Sequence, residues 1–297
     1  MPARDIDGVL LLDKPSGMSS NAALQAARRL LGARRAGHTG TLDPMATGLL
    51  VLCFGEATKF AGSLLDADKA YAARVRLGVR TSTGDAEGEV LERREARAAP
   101  PEIEAALERY RGPIEQTPPM HSALKHRGRP LYTYARRGES VERSARRVVI
   151  RELVLEGIDG PDLGLRILCS KGTYVRVLAE DIGTALGCGA HLAALRRTRV
   201  GPFALEQAVG LDGLARVPES ERAGLLSPVE TLLGSWPRVD LAKEAETRFR
   251  HGQRVPAGIP TGMRDAQVAV FGAEGNFLGI GEIDGEGMLK AKRQMAA

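Results

Sequence analysis

The sequence predicts an α+β protein built on a mixed β-sheet. Three observations predict it. Strand-like and helix-like segments are interspersed without a regular βα repeat, the apolar runs have strand length, and from about Ser235 the chain turns to short, glycine-punctuated strands that suggest a small C-terminal β-barrel. At 297 residues, with 43% hydrophobic and 27% charged residues, the composition is that of a globular protein able to bury a large core without staples or metals.

Gly8 to Leu12 reads as a buried strand, and the Ser19-Ser20-Asn21 cluster caps a helix running through AALQAARRLL to a stop at Gly32. A second apolar strand, Leu49 to Phe54, follows a loop rich in Gly, Thr and Pro. In Tyr71 to Leu77, Ala73, Val75 and Leu77 alternate with Arg74 and Arg76, a pattern that leaves one face wet. Pro100 and Pro101 open a short helix with Ile103, Leu107 and Tyr110 on one face, and Gly112-Pro113 closes it. Two strands, Arg147 to Leu155 and Leu165 to Cys169, lead through a Gly172 turn into a helix striped by Val175, Leu178, Ile182 and Leu186, which Gly187 ends. A last helix, Leu241 to Arg250, precedes the barrel strands QVAVFG and NFLGIGEID. The sequence has no internal repeat and no glycine pattern of a dinucleotide or P-loop site.

The longest apolar runs, Val9 to Leu12 and Leu49 to Phe54, fall far short of the roughly 18 residues of a membrane span. The N-terminal MPARDIDG carries charges of both signs and lacks the pattern of a secretory signal, so a cytoplasmic protein is expected. Cys53, Cys169 and Cys188 are widely spaced, which suggests neither a disulfide framework nor a zinc site. The net charge of +5 is unevenly placed: residues 121–151 hold nine Lys/Arg against Glu139 and Glu142, a local +7, leaving −2 for the rest. A local basic patch suits a polyanionic partner, and equally a solvated charged loop.

Residues 37–48 read GHTGTLDPMATG, with a single carboxylate, Asp43, among glycines and threonines. Glycine lets backbone approach a ligand, and Pro44 holds Asp43 extended. The loop can therefore aim the carboxylate into a site, or Asp43 can simply cap its own backbone in an Asx-type turn.

This stretch closely resembles the catalytic motif of the TruB family of tRNA pseudouridine synthases. GVLLLDKPSGMSSN (8–21) and CSKGTYVRVLAEDIG (169–183) resemble the family's other two signatures, in the same order. DKAYAARVRLGVRTSTGDAEG, which contains Lys69, Tyr71 and Asp85, and LGCGAHLAALRR (186–197) extend the resemblance over most of residues 8–200. The resemblance implies a mixed, largely antiparallel pseudouridine synthase catalytic domain over 1–234, with a basic tRNA-gripping insertion at about 121–151. It also implies a looser match to a PUA-like RNA-binding domain over 235–297.

Turning uridine into pseudouridine exchanges an N1–C1′ bond for a C5–C1′ bond without redox change, so no cofactor and no metal is expected. A carboxylate beside C1′ can attack or stabilise oxocarbenium character, as in glycoside hydrolysis, and the resemblance gives that role to Asp43. A cation would help it stay ionised, and the resemblance nominates Arg176, which on helical spacing alone would pair with Glu180. The uridine must leave its stack to be reached. The resemblance places Tyr71 on the target uracil, with Tyr174 and Leu195 as pocket walls, although each could be plain core. His38 resembles the histidine that supports the flipped state, or is a loop histidine bonded to backbone. Lys14 and Pro15 are expected to buttress the catalytic loop. The resemblance implies tRNA, through its T arm and position 55, as the partner of a chain that needs no obligatory protein partner and acts as a monomer. Two other readings stay open: a non-catalytic tRNA-folding chaperone, and a guide-RNA-dependent, dyskerin-type synthase.

Overall fold

The computed structural model describes residues 4–234, 236–256, 258 and 265–296. Strand β1 (Gly8–Lys14) is buried on both faces, Val9 and Leu11 entering one core cluster and Leu10 and Leu12 another. Helix α1 (Ser20–Leu31) starts where the Ser19 hydroxyl accepts the Ala22 N–H at 3.1 Å, and it stops at Gly32, which takes the left-handed φ of 63°. β2 (Ala36–His38) and β3 (Thr47–Phe54) pair antiparallel and are joined by the loop that carries Asp43. β4 (Lys69–Leu77) buries Ala73, Val75 and Leu77 and exposes Arg74 and Arg76. A small hairpin of β5 (Val79–Thr81) and β6 (Val90–Arg93) precedes α2 (Pro100–Glu108), which buries Ile103 and Leu107, and then β7 (Gly112–Gln116).

The basic segment opens with a second hairpin, β8 (Lys125–His126) and β9 (Arg129–Pro130), and the short α3 (Leu131–Ala135). Its last residues form the strand expected from Arg147, which begins one residue earlier. Arg146, Arg147 and Arg151 belong to the long β10 (Arg146–Asp159), because Val148 and Ile150 between them alternate into the core and draw the stretch into the sheet. The insertion proper therefore ends before Arg146. β11 (Asp162–Cys169), α4 (Val175–Ala185), β12 (Ala190–Val200), β13 (Phe203–Ala204), β14 (Val209–Gly210) and α5 (Leu211–Arg216) complete the large domain.

The C-terminal region adds β15 (Arg238–Asp240), α6 (Lys243–Arg250), β16 (Val255–Pro256), β17 (Gln267–Phe271), β18 (Phe277–Ile283) and β19 (Met288–Gln294). Helix α6 starts two residues later than the sequence pattern suggests. Leu241 is buried, and its N–H donates to the Phe271 carbonyl at 2.9 Å, continuing the β15–β17 pairing. The five strands run in the order β15-β17-β18-β19-β16, a curled half-barrel. Ala269, Phe271 and Ile280 of this sheet join Val9, Leu49, Val51 and Leu232 in one cluster, so the two regions share a core. Ser235, the first residue assigned to this region from the sequence, lies outside the described residues.

The central sheet has ten strands along the path β14-β1-β3-β12-β4-β11-β10-β7, with β13 on β12 and β2 on β3. It is mixed and largely antiparallel, with parallel pairing only at β1–β14 and β3–β12. Its register lines up Lys14, Gly48, Arg197, Tyr71 and Ile167 across five adjacent strands. Helices α2 and α4 pack over one half of this sheet and α1 and α5 over the other.

Gly48 carries the closest approach in that row. Its φ is +98°, and a Cβ there would meet the Arg197 backbone, with the nitrogen at 2.8 Å. Gly48→Ala combines an unfavourable φ with overpacking and is expected to destabilise the fold by about 2–5 kcal/mol in urea unfolding. A loss below about 1 kcal/mol would show that β3 and β12 can part without cost.

Candidate active site

Asp43 sits in the loop between β2 and β3, and nearly every residue of that loop is fastened. The Ser20 hydroxyl bonds both the N–H (2.7 Å) and the carbonyl (2.9 Å) of Leu42. The fully buried Lys14 ammonium donates to the carbonyls of Pro15 (2.7 Å), Met18 (2.6 Å) and Pro44 (3.3 Å). Arg197, 2% exposed, donates to the carbonyls of Gly40, Thr41 and Leu49. The Thr39 N–H reaches the Val51 carbonyl at 3.1 Å. The loop is thus held from α1, β1, β3 and β12 at once, leaving the Asp43 side chain as its free projection.

That carboxylate pairs with Arg176 of α4, Nε to Oδ2 at 3.0 Å. Among the described residues it takes no backbone N–H of its own, so it does not form the self-capping turn. The Arg176 side chain is 5% exposed and keeps all its nitrogens occupied: Nη1 donates to the Thr83 carbonyl (3.1 Å), Nη2 to the His121 carbonyl (2.7 Å), and Nε also lies 3.5 Å from Asp85. Asp85 is buried too, and is fixed by the Thr83 hydroxyl (2.5 Å) and the Glu87 N–H (3.1 Å). Glu180, one helical turn on, makes no ion pair with Arg176 among the described residues. Burial pushes the Asp43 carboxyl above the usual aspartate range, and Arg176 opposes that rise.

A cleft of about 290 Å³ opens over the pair, sized for one flipped nucleotide rather than a helical segment. Asp43, Tyr71, Tyr174, Leu195 and Arg176 all line it. Burial raises the Tyr71 phenol above its ordinary range, with Arg197 beside it opposing, so the free pocket holds a neutral ring suited to stacking. His38 stands apart. It lies on β2 opposite Leu52, one residue before the cleft-lining Thr39, with its Nδ1 buried and without a partner. Burial lowers its pKa, and nearby Arg197 lowers it further.

Two cleft-lining cations were given no role from the sequence, although Lys69 lies in one of the family-like stretches. Arg197 holds the loop, and Lys69 donates to the carbonyls of Leu64, Leu65 and Ala67 at 2.6–3.4 Å. Strand alternation carried a signal for both. Counting back by twos from Ala73 puts Lys69 and Tyr71 on the buried face, and counting on from Leu195 does the same for Arg197. The described residues contain no cluster of His, Cys, Asp and Glu able to hold a metal, and no helix long and apolar enough to cross a membrane.

Three family models match successive stretches of the chain between residues 28 and 295. The TruB family pseudouridylate synthase N-terminal domain matches residues 28–175, the tRNA pseudouridylate synthase B C-terminal domain 176–234, and the pseudouridine synthase II TruB C-terminal model 237–295. The first junction falls inside α4 and marks no structural boundary. Over 300 aligned residues the chain is 56% identical to tRNA pseudouridine synthase B of Ralstonia nicotianae, covering 98% of this chain and 95% of the relative. It is 55% identical over 297 residues to the protein of the same name from Burkholderia mallei, covering 99% and 98%. A chain in the crystal structure of a Cbf5-Nop10-Gar1 complex superposes with a TM-score of 0.73 at 28% identity, over 93% of this chain and 78% of that one.

Lys14 gives the site a signature in stability. Burial lowers its pKa from 10.5 to about 8, while Asp43 partly restores it. Between those values the unfolded chain binds more protons than the folded one, so the Lys14 contribution to stability rises with pH from about 8 to about 10.5. In urea unfolding, the stability of wild type relative to Lys14→Met is expected to improve across that window. A flat difference would show that burial does not burden the ammonium.

Proposed function

The chain belongs to the TruB family of pseudouridylate synthases, and on that premise we propose that it isomerises uridine to pseudouridine at position 55 in the T loop of tRNA, with Asp43 as the catalytic carboxylate. The observation that carries this reading is the Asp43–Arg176 pair at 3.0 Å in the floor of a cleft walled by Tyr71, Tyr174 and Leu195.

The reaction breaks N1–C1′, turns the uracil, joins C5 to C1′, releases the C5 proton and returns a proton to N1, so atoms balance without oxidant or cofactor. An ionised carboxylate serves each available opening step: attack at C1′, attack on the ring, or proton removal at C2′. Arg176 supplies the countercharge that favours the ionised form of Asp43 against its burial. Tyr71 stacks on the uracil, Tyr174 and Leu195 confine it, and His38, at the margin of the cleft, faces the RNA that the base leaves behind.

The relatives at 55–56% identity carry the name tRNA pseudouridine synthase B and align over nearly their whole length, whereas the chain from the Cbf5-Nop10-Gar1 complex stands at 28%. This favours a stand-alone enzyme without an obligatory protein partner, acting as a cytoplasmic monomer on tRNA. A tRNA-folding chaperone would have no need of the fastened loop and the caged ion pair around Asp43. Residues 1–234 form the catalytic domain in this reading, and 235–297 a PUA-like RNA-binding domain. The insertion grips the T arm: Lys125, Arg127, Arg129, Arg136 and Arg137 are exposed and have no acidic partner among the described residues, as do Arg146 and Arg147 at the start of β10.

Asp43→Asn keeps shape but removes the charge, and is expected to lower pseudouridine formation, read by nucleoside analysis of digested tRNA, by roughly four orders of magnitude or more while tRNA binding stays near wild type. Retention of a substantial fraction of the wild-type rate would remove Asp43 from the chemistry. Replacing Arg136, Arg137, Arg146 and Arg147 with Ser is expected to flatten the dependence of log Kd on log salt by about 0.9 per lost phosphate contact, up to about 3.6, with turnover at saturating tRNA changed much less. Superimposable salt plots would take these arginines out of the RNA interface.

A further inference from the structure

We propose that Gln116 is a positioning residue for Arg176, and through it for Asp43; the proposal deepens the reading of Asp43 as the catalytic carboxylate and rests on it. Gln116 ends β7 and is 2% exposed. Its side-chain amide closes a two-bond ring on the main chain of Tyr174: Oε1 accepts the Tyr174 N–H at 3.0 Å, and Nε2 donates to the Tyr174 carbonyl at 3.3 Å. Tyr174 is the residue that caps α4, it has no side-chain cap of its own, and Arg176 follows two residues later.

The same stretch of chain then returns to Arg176 from the other side. Five residues after Gln116, the His121 carbonyl accepts the Arg176 Nη2 at 2.7 Å. Residues 116–121 thus form a strap that fixes Arg176 twice, at the backbone that launches it and at its head group. The strap is itself anchored. Arg143 Nη1 donates to the Pro118 carbonyl at 3.0 Å, and the Tyr132 N–H of α3 donates to the Ser122 carbonyl at 3.1 Å. Across the guanidinium, the Thr83 carbonyl, Asp85 and Asp43 supply the remaining acceptors.

Glutamine suits this place for a chemical reason. A primary amide carries a donor and an acceptor side by side, so it pairs with both groups of one residue as a neighbouring strand would. It does so without placing a charge beside the Asp43–Arg176 pair. An apolar side chain in its stead would leave the Tyr174 N–H unpaired and strip the Tyr174 carbonyl of one of its two donors, the other being the Leu178 N–H, and the first turn of α4 would relax by letting Arg176 drift from Asp43. The charged groups that face Asp43 are Arg176 from α4, Asp85 from the β5–β6 turn and Lys14 from β1. Losing the alignment of Arg176 therefore leaves burial and Asp85 less opposed.

The test is a carboxyl ¹³C titration of Asp43 in the free full-length protein, assigned with Asp43→Asn, in wild type and Gln116→Met. The midpoint is expected to move upward by about one pH unit in the variant. The single-turnover rate on tRNA should fall about tenfold at the pH where the variant carboxyl is mostly protonated and recover as pH rises, with Kd unchanged. Should the methionine variant fail to show a wild-type-like melting transition, Gln116→Asn, which keeps the amide one methylene short of Tyr174, replaces it with the same expectation. An unmoved Asp43 titration in a folded variant overturns the proposal. A moved titration in a protein that makes no pseudouridine upholds the positioning and removes instead the assignment of Asp43 to uridine chemistry.

Discussion

The structure depends on one electrostatic demand, that an arginine and an aspartate stay charged at the floor of a cleft that must exclude water. Removing one partner of a buried ion pair strands the other, at about 3–5 kcal/mol, so such a pair persists where each nitrogen of the guanidinium finds an acceptor. Arg176 meets the condition with two carbonyls and two carboxylates drawn from three separate parts of the chain. Helix α4, the turn between β5 and β6, the strap after β7 and the loop of Asp43 are consequently committed to one meeting point. Asp85 serves as the second counterion that lets the guanidinium be fully buried while Asp43, open to the cleft, keeps room for substrate.

Beneath that point the central sheet supplies the reference frame. Because side chains alternate along each strand, a fixed register carries a row of residues across strands that are far apart in sequence. The row holding Lys14, Gly48, Arg197 and Tyr71 sets the underside of the Asp43 loop and one wall of the cleft in a single stroke. Gly48 permits the close approach, Arg197 turns its guanidinium into the loop carbonyls, and Lys14 closes the other end on Pro44. The loop is irregular in conformation but rigid in its fastening, which holds the Asp43 carboxylate in one place.

Much of this was legible in the sequence where local rules act alone. The caps of α1 at Ser19 and Gly32, the doubly buried β1 and β3, and the wet face of β4 follow from capping chemistry and alternation. Boundaries set by tertiary pairing were less legible. Leu241 extends a strand ladder through its N–H to Phe271 instead of opening a helix, and the strand expected from Arg147 to Leu155 runs on at both ends, from Arg146 to Asp159. The site shows the same division. Asp43 and its loop stand out by composition, while Arg197 and Lys69 look like surface cations until strand parity turns them inward toward main-chain carbonyls. His38 reads as a loop residue, but its place on β2, one step outside the cleft lining, depends on pairing with β3 that no local pattern announces.

The central claim is that this cleft exchanges a glycosidic nitrogen for a carbon on uridine, a step in which the hydrogen on C5 must depart. Its most direct measurement is tritium release from an unmodified tRNA transcript carrying uridine labelled at C5, incubated with the purified chain and no other component. The account predicts release that plateaus at one equivalent per tRNA and vanishes when the T-loop uridine is replaced by cytidine. No release, or release indifferent to that replacement, would contradict it.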